Sequence, residues 1–501
     1  MLFYNMKLRA IKSVHMRSTN IHTTIASLDE SAHQEPFLRV VPILASALLL
    51  GAGVGFVLAT ILTLALTLHV SLGPWWIATA QAHGHVQLYG WAGLFVLGVA
   101  LHFLPRLRGT PLAIPQLIPW ILAALVAGLL LRVLSQPLFL ATGAGIWSIL
   151  LIASGVLECA ALVAVVSLLG MTAWRGPGLA THPAFLGVFP FLVGAFCALG
   201  IASCVNLVSV VQASMSVGLV PPTTDNLNVT LGLFGFLVPM ALAMSAQSLP
   251  MYAGLEAFPR RILWPLAGVY FSGLVLTSVG MLAGSQQSAW PDVLNGLGML
   301  LMGIVLLIFI SVFMRMMRTR GRLPEKVARL APSPEAAKRN YEKRVRDERN
   351  TYGPFVALVA SAYIWALLGS VLLTIDGLTM LFGQIPFFAI DAIRHSLAVG
   401  FITLLICGIS PRMIPGFSGR KIASPALVGA TLWLGNTAVL LRVGSLLLAT
   451  VLATISFAGG PLYSILFGLS GPVGLALAIC LAVNLWPALW PKVIDLQSAN
   501  M

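Results

Sequence analysis

His85 and His395 occupy the same place in two copies of one template. The first copy runs His85, Gly90, Gly98, Pro105 and Gly109; the last runs His395, Gly400, Gly408, Pro415 and Gly419, with gaps of five, eight, seven and four in both. A middle copy, Thr230, Gly235, Ala243, Pro250 and Gly254, keeps the spacing with Thr in the histidine slot and Ala in one glycine slot. Recurrence on this scale indicates an internal repeat, and packing alone would not single out one position for histidine. Two such imidazoles could fill both axial positions of a haem iron. Arg132 and Arg442 share the same 310-residue offset, inside Leu130-Leu131-Arg132-Val133 and Leu440-Leu441-Arg442-Val443. Guanidinium groups match the planar carboxylates of haem propionates, and Arg394, beside His395, is a third candidate. Each residue has a plainer reading: a membrane histidine can simply hydrogen-bond a neighbouring helix, and an arginine near a helix end can snorkel to the headgroups.

These residues must be positioned by helices in a membrane. The chain is 58% hydrophobic and 9% charged, with mean hydropathy +0.94, outside the soluble globular range. Apolar runs long enough to cross ~30 Å of hydrocarbon number twelve, near 40–70, 81–104, 113–135, 146–170, 185–215, 229–250, 262–284, 293–314, 354–374, 387–411, 425–449 and 463–486. The repeat falls on helices two, six and ten, one in each block of four. The expected fold is therefore all-α, a polytopic membrane protein of about twelve transmembrane helices in a pseudo-threefold arrangement of four-helix units. Gly73 and Gly383, and Pro115 and Pro425, extend the correspondence between the first and third units.

Charge sorts the connections into two sides. Loops 71–80, 136–145, 216–228, 285–292, 375–386 and 450–462 hold no Lys or Arg, and their only charges are Asp225, Asp292 and Asp376. The other connections and ends carry 26 of the 29 basic residues. This pattern predicts cytoplasmic N- and C-termini in a plasma (inner) membrane. The net charge of +14 then describes a face against anionic lipid; no recognition motif points to nucleic acid. The expected organisation is a cytoplasmic tail over 1–37, too polar for a signal peptide; helices one to eight over 38–314; a basic cytoplasmic loop over 315–353; helices nine to twelve over 354–490; and a tail over 491–501. The loop reads as a solvated amphipathic hairpin or a docking surface for a redox partner. The five cysteines, 159, 197, 204, 407 and 480, lie in apolar spans without CxxC spacing and read as buried structural thiols.

His85 and His395 should lie at matching depth near the outer side, with Arg132 and Arg442 in the same slab. His83, two residues from His85, points about 200° away round the helix; it could bind a second metal, form a surface hydrogen bond, or meet His69 across the loop. His102 reads as interfacial. Glu158, the one carboxylate deep in a span, either pairs with a neighbouring helix or conducts protons. No CxxCH motif occurs, so a haem here is non-covalent, and the expected type is b.

The runs Ala82-His83-Gly84-His85-Val86-Gln87-Leu88-Tyr89-Gly90-Trp91 and Arg394-His395 through Gly419-Arg420 resemble the NnrS family of haem- and copper-containing membrane proteins. More distantly they resemble subunit I of the haem-copper oxidases, which has twelve helices in pseudo-threefold arrangement and a low-spin haem held by histidines of helices two and ten. The resemblance implies His85 and His395 as axial ligands, copper as a further cofactor, and an association with nitric oxide. Departures from that pattern argue against terminal oxidase or nitric-oxide reductase activity, and leave open whether the chain is an enzyme at all. Those enzymes need further ligands on helices six and seven, whereas Thr230 fills the helix-six slot, no histidine occurs between His182 and His395, and helix ten holds His395 alone. The catalytic residues, if any, are not evident. A secondary transporter is the competing class, with Glu158, Arg132 and Arg442 along a path, although its usual inverted repeats differ from the parallel ones here. A structural subunit of a membrane redox complex is the third.

Overall fold

The computed structural model describes residues 36–284, 289–319, 333–454 and 460–490. Among these, twelve helices are long and apolar enough to cross a membrane. In chain order they are Pro36–Thr67, Trp75–Arg108, Pro115–Thr142, Gly145–Arg175, Pro183–Ser214, Pro222–Gln247, Arg260–Ala283, Trp290–Arg318, Phe355–Leu381, Ile390–Ser418, Pro425–Leu452 and Leu462–Leu489. The fold is all-helical, with no strand among the described residues.

Burial separates the twelve into two groups. The apolar stretches of spans two, six and ten are 83%, 83% and 78% buried, while every other span lies between 28% and 50%. The three repeat-bearing helices are therefore the hub, and the others form a rim facing lipid. Consecutive spans pack as neighbours in three arcs: three to five run from span two to span six, seven to nine from span six to span ten, and eleven, twelve and one from span ten back to span two. This is the pseudo-threefold arrangement of four-helix units that the repeat predicts.

The repeat is written into the backbone as well. Immediately after His85, Thr230 and His395, each hub helix widens into a π-helical segment: Val86–Gly93, Leu231–Leu237 and Ser396–Thr403. Such segments are rare and often mark functional positions. The three touch one another pairwise on the axis, and Trp91 Nε1 donates to Thr403 Oγ1 at 3.1 Å across spans two and ten. Each hub helix or its short extension then ends on a left-handed glycine, Gly109, Gly254 or Gly419, with φ of +60°, +65° and +68°. Gly73, Gly218 and Gly383, each before a hub helix, also have positive φ. Only glycine takes this conformation without steric cost. Gly218 thus brings the middle unit into a correspondence that the sequence displays most plainly for Gly73 and Gly383.

Between spans eight and nine the helix Pro334–Tyr352 is capped by Ser333, whose Oγ accepts from Ala336 N at 3.1 Å. The Arg412 guanidinium lies 4.7 Å over the Tyr352 ring, tying this helix to span ten. The rest of the expected hairpin, 320–332, and the tails over 1–35 and 491–501 lie outside the described residues.

Candidate functional site

A threefold rotation carries equivalent residues to successive sectors round an axis rather than face to face, and the histidines follow that rule. In the sector between span two and spans three to six, buried His85 Nε2 is bound to Glu158 on span four. Glu158 Oε2 also accepts from Asn206 Nδ2 of span five at 3.2 Å. Asn206 Oδ1 in turn accepts from Arg132 NH1 at 2.7 Å, and Arg132 Nε donates to Gln136 Oε1 at 3.0 Å. Gln136 passes the chain on to Gln81 at 2.7 Å, and Gln81 Nε2 donates to the Val220 carbonyl at 2.9 Å. A buried charge is tolerable only when paired and hydrogen-bonded; Arg132 and Glu158, 2% and 0% exposed, are linked through this network, in which Glu158 uses Oε2 alone and its Oε1 is buried without a hydrogen-bond partner among the described residues. Gly128 on span three makes the room: a Cβ there would stand 2.6 Å from Glu158 Cγ. Tyr89 flanks His85 at 4.8 Å between ring centroids and donates to Asn228 Oδ1 at 3.2 Å.

His395 and Arg442 occupy a different sector, between span ten and spans eleven, twelve, one and two. His395 Nδ1 meets the Asp391 carbonyl one turn earlier at 2.8 Å. Asp391 Oδ2 lies 3.8 Å from Arg442 NH2, and the Arg442 guanidinium lies 4.1 Å over the Phe467 ring of span twelve. His83 belongs here: its Nδ1 meets the Gly55 carbonyl of span one at 2.9 Å. Arg394 donates through NH2 to Asn226 Oδ1 of span six at 3.0 Å. The Nε atoms of Arg394 and Arg442 are buried and have no hydrogen-bond partner among the described residues.

The six residues singled out in the sequence thus divide. His85 and Arg132 go with Glu158 to one sector; His395, Arg442 and His83 go to another, with Arg394 bonded to span six. The half-turn between His83 and His85 sends them to opposite neighbours, as the helical spacing requires. Of the two alternatives open for Glu158, a pairing is what the geometry displays. His83 bonds Gly55 rather than His69. Asp391, Asn206, Gln81 and Gln136 were not singled out in the sequence; the signals available were Asp391 one helical turn before His395 and Asn206 as an amide inside an apolar span.

Two expectations are corrected. His102 is 2% exposed rather than interfacial, enclosed by Phe37 and Phe417 at ring separations of 5.4 and 4.2 Å, because span one folds its first turn over it. Of the cysteines only Cys407 is buried; Cys197 and Cys204 are exposed on the rim, where a weakly polar thiol is at ease against lipid. No group of three or more His, Cys, Asp or Glu that could hold a metal ion occurs among the described residues.

No protein-family model matches the chain, and no curated protein matches it in sequence. Among solved structures, a haem-copper terminal oxidase dimer determined by cryo-electron microscopy has a chain of the same fold. The TM-score is 0.61 over 92% of this chain and 85% of that one, at 11% identity.

Proposed function

We propose that the chain is a haem-binding integral membrane protein in which His83 and His395 supply the axial nitrogens and Arg442 and Arg394 meet the propionates. One observation carries this reading. Both histidines spend Nδ1 on a backbone carbonyl, which fixes Nδ1 as the protonated nitrogen and leaves Nε2 as a lone pair. This is the arrangement that orients a metal-ligating imidazole. The unpartnered Nε atoms of Arg442 and Arg394 fit the same group, since each retains a donor for a carboxylate. The pairing of His85 with His395 that the repeat suggests would require His85 to leave Glu158; His83 gives up no bond.

The haem would be b-type and non-covalent, and it would supply one-electron exchange and an affinity for nitric oxide. The residues of this chain set the terms: two carbonyls hold the imidazoles, Arg442 and Arg394 place positive charge beside the site, and Asp391 balances part of it. The motif resemblance to NnrS proteins supports a role in nitric-oxide response or membrane electron transfer. Turnover of the oxidase type is not part of this reading, because Thr230 in the helix-six slot contacts Met281 Sδ at 3.7 Å instead of presenting an imidazole. For copper, which the NnrS resemblance would imply, the described residues offer no convergent ligand group. The charge pattern supports cytoplasmic termini; a plasma-membrane location and a redox partner docking on the basic 315–353 segment belong to the same proposal.

Oxidised and dithionite-reduced spectra of the purified protein test this directly. A Soret band that shifts on reduction is expected. Haem-replete membranes giving protein without one would favour a transporter, for which the buried chain from Arg132 through Glu158 to His85 is the supporting feature.

A further inference from the structure

The threefold relation that disperses the histidines opens a cleft on the axis itself. The π-helical segments touch one another there. Beyond them, toward the glycines that end the hub helices, a half-open space of about 80 Å³ lies between spans two, six and ten. At its π-helical end the wall repeats with the units, since Phe95, Met240 and Leu405 are equivalent positions in the three copies. Along span ten the lining runs from Ile402 to Met413, about 16 Å of helix. The space is therefore long and narrow, and its walls are almost entirely carbon and thioether sulfur.

The open end has a different character. Ser248 and Tyr252 line it, and the charges of Arg106 on span two and Arg412 on span ten both act on the Tyr252 hydroxyl. The Arg412 guanidinium is held 4.7 Å over the Tyr352 ring, and its Nε is buried without a hydrogen-bond partner among the described residues. Arg412 occupies the place in the third copy that His102 and Gln247 hold in the first and second, so this level carries a fixed cation in one unit alone. No described residue of the lining is a carboxylate.

We propose that this axial cleft binds a single-chain carboxylate of the fatty-acid class, its tail along the axis and its head between Arg106 and Arg412. Shape, wall and mouth each select one part of that ligand. A long, narrow slot takes an extended chain in single file. The opening admits water, and a tail that displaces water from carbon walls gains the hydrophobic term. Guanidinium groups match a planar carboxylate, and the Tyr252 hydroxyl is a further donor at the same level. The lining contains no candidate haem ligand, so the inference holds whether or not the chain carries haem.

Photocrosslinking of the full-length protein in lipid nanodiscs tests this, with a diazirine-bearing dodecanoic acid as probe and mass spectrometry to locate the label. Label at Phe95, Met240 or Leu405 is expected. Dodecanoate should compete for it about tenfold better than dodecanol, the preference that one charge-assisted contact confers. Val99→Phe and Ala241→Phe each place a ring in the cleft and should remove the axial label. Arg412→Gln and Arg106→Gln should keep the label and lower the preference for dodecanoate. Circular dichroism and thermal melting identify a variant that has merely failed to fold; the remaining variants and the wild-type competition then decide. Label confined to lipid-facing residues, equal competition by dodecanol, axial label undiminished in a folded filling variant, or a preference unchanged in both arginine variants overturns the proposal.

Discussion

His83 and His395 are anchored alike: each turns Nδ1 to a backbone carbonyl, Gly55 at 2.9 Å and Asp391 at 2.8 Å. One carbonyl comes from a neighbouring span and the other from the preceding turn of the same helix. Gly55 ends a π-helical segment of span one, Gly51–Gly55, which packs against the one in span two. His85, two residues after His83, spends its Nε2 on Glu158 instead.

From this difference, His83→Ala and His395→Ala should each abolish the six-coordinate low-spin spectrum, leaving a five-coordinate or exchange-labile iron or no haem at all. His85→Ala should retain it. The measurement is the absorption and electron paramagnetic resonance spectrum of each purified variant. Retention in His83→Ala with loss in His85→Ala would mean that His85 leaves Glu158 for the iron and that the repeat register, not the carbonyl anchor, identifies the ligand.

The arginines should separate in the same way. Arg442→Leu removes a positive charge beside the proposed haem, which had favoured the electron-rich ferrous state, so the midpoint potential should fall. Only the part of that contact that differs between ferric and ferrous haem enters the potential, so a charge-assisted hydrogen bond of about 1.5–3 kcal/mol sets a ceiling of about 65–130 mV on the drop for one electron. Arg132→Leu acts in the other sector and should shift the potential far less while destabilising the fold. Redox titration of both variants checks this; equal shifts would place the two guanidiniums round one cofactor.

Much of this architecture is legible in the sequence, and the boundary is physical. Period and hydropathy locate the hub helices because span length and an internal repeat are properties of the chain itself. The positive-φ role of Gly109 and Gly419 is foreshadowed by their place in the template. Direction round the axis is harder to read. Equal offsets between His85 and His395 say that the two face equivalent ways, and under a threefold axis that means different sectors. A twofold axis would have made them face each other. The His85–Glu158 contact depends on the rotation of span four, which an apolar helix with a low polar content scarcely encodes.

Orientation across the membrane gives an independent prediction. With the basic loops inside, a single cysteine introduced at Gly178, between spans four and five, should react with a membrane-permeant maleimide and resist an impermeant one in intact cells. A cysteine at Ser216, between spans five and six, should react with both. The variants are made in a background lacking the five native cysteines, and the reversed pattern would overturn the inside location of the termini.

Glu158 supplies the sharpest separation of structure from function. Glu158→Ala strands His85 and Arg132 in a buried sector, and removing one partner of a buried ionic network costs about 3–5 kcal/mol. The loss falls on groups that are 6% and 2% exposed, so water cannot replace the carboxylate. Glu158→Gln keeps an oxygen to accept from Asn206 and nearly the same volume beside Gly128, so it should recover the hydrogen-bonding and packing part of that loss but not the charge that balances Arg132. Thermal melting in detergent, followed by circular dichroism, should therefore rank wild type, then Gln, then Ala. The haem spectrum of the Gln variant should stay unchanged, since His83 and His395 lie in the other sector. A Gln variant that melts like wild type but loses its Soret band would reverse the assignment, making the His85–Glu158 pair part of the cofactor site rather than a strut beside it.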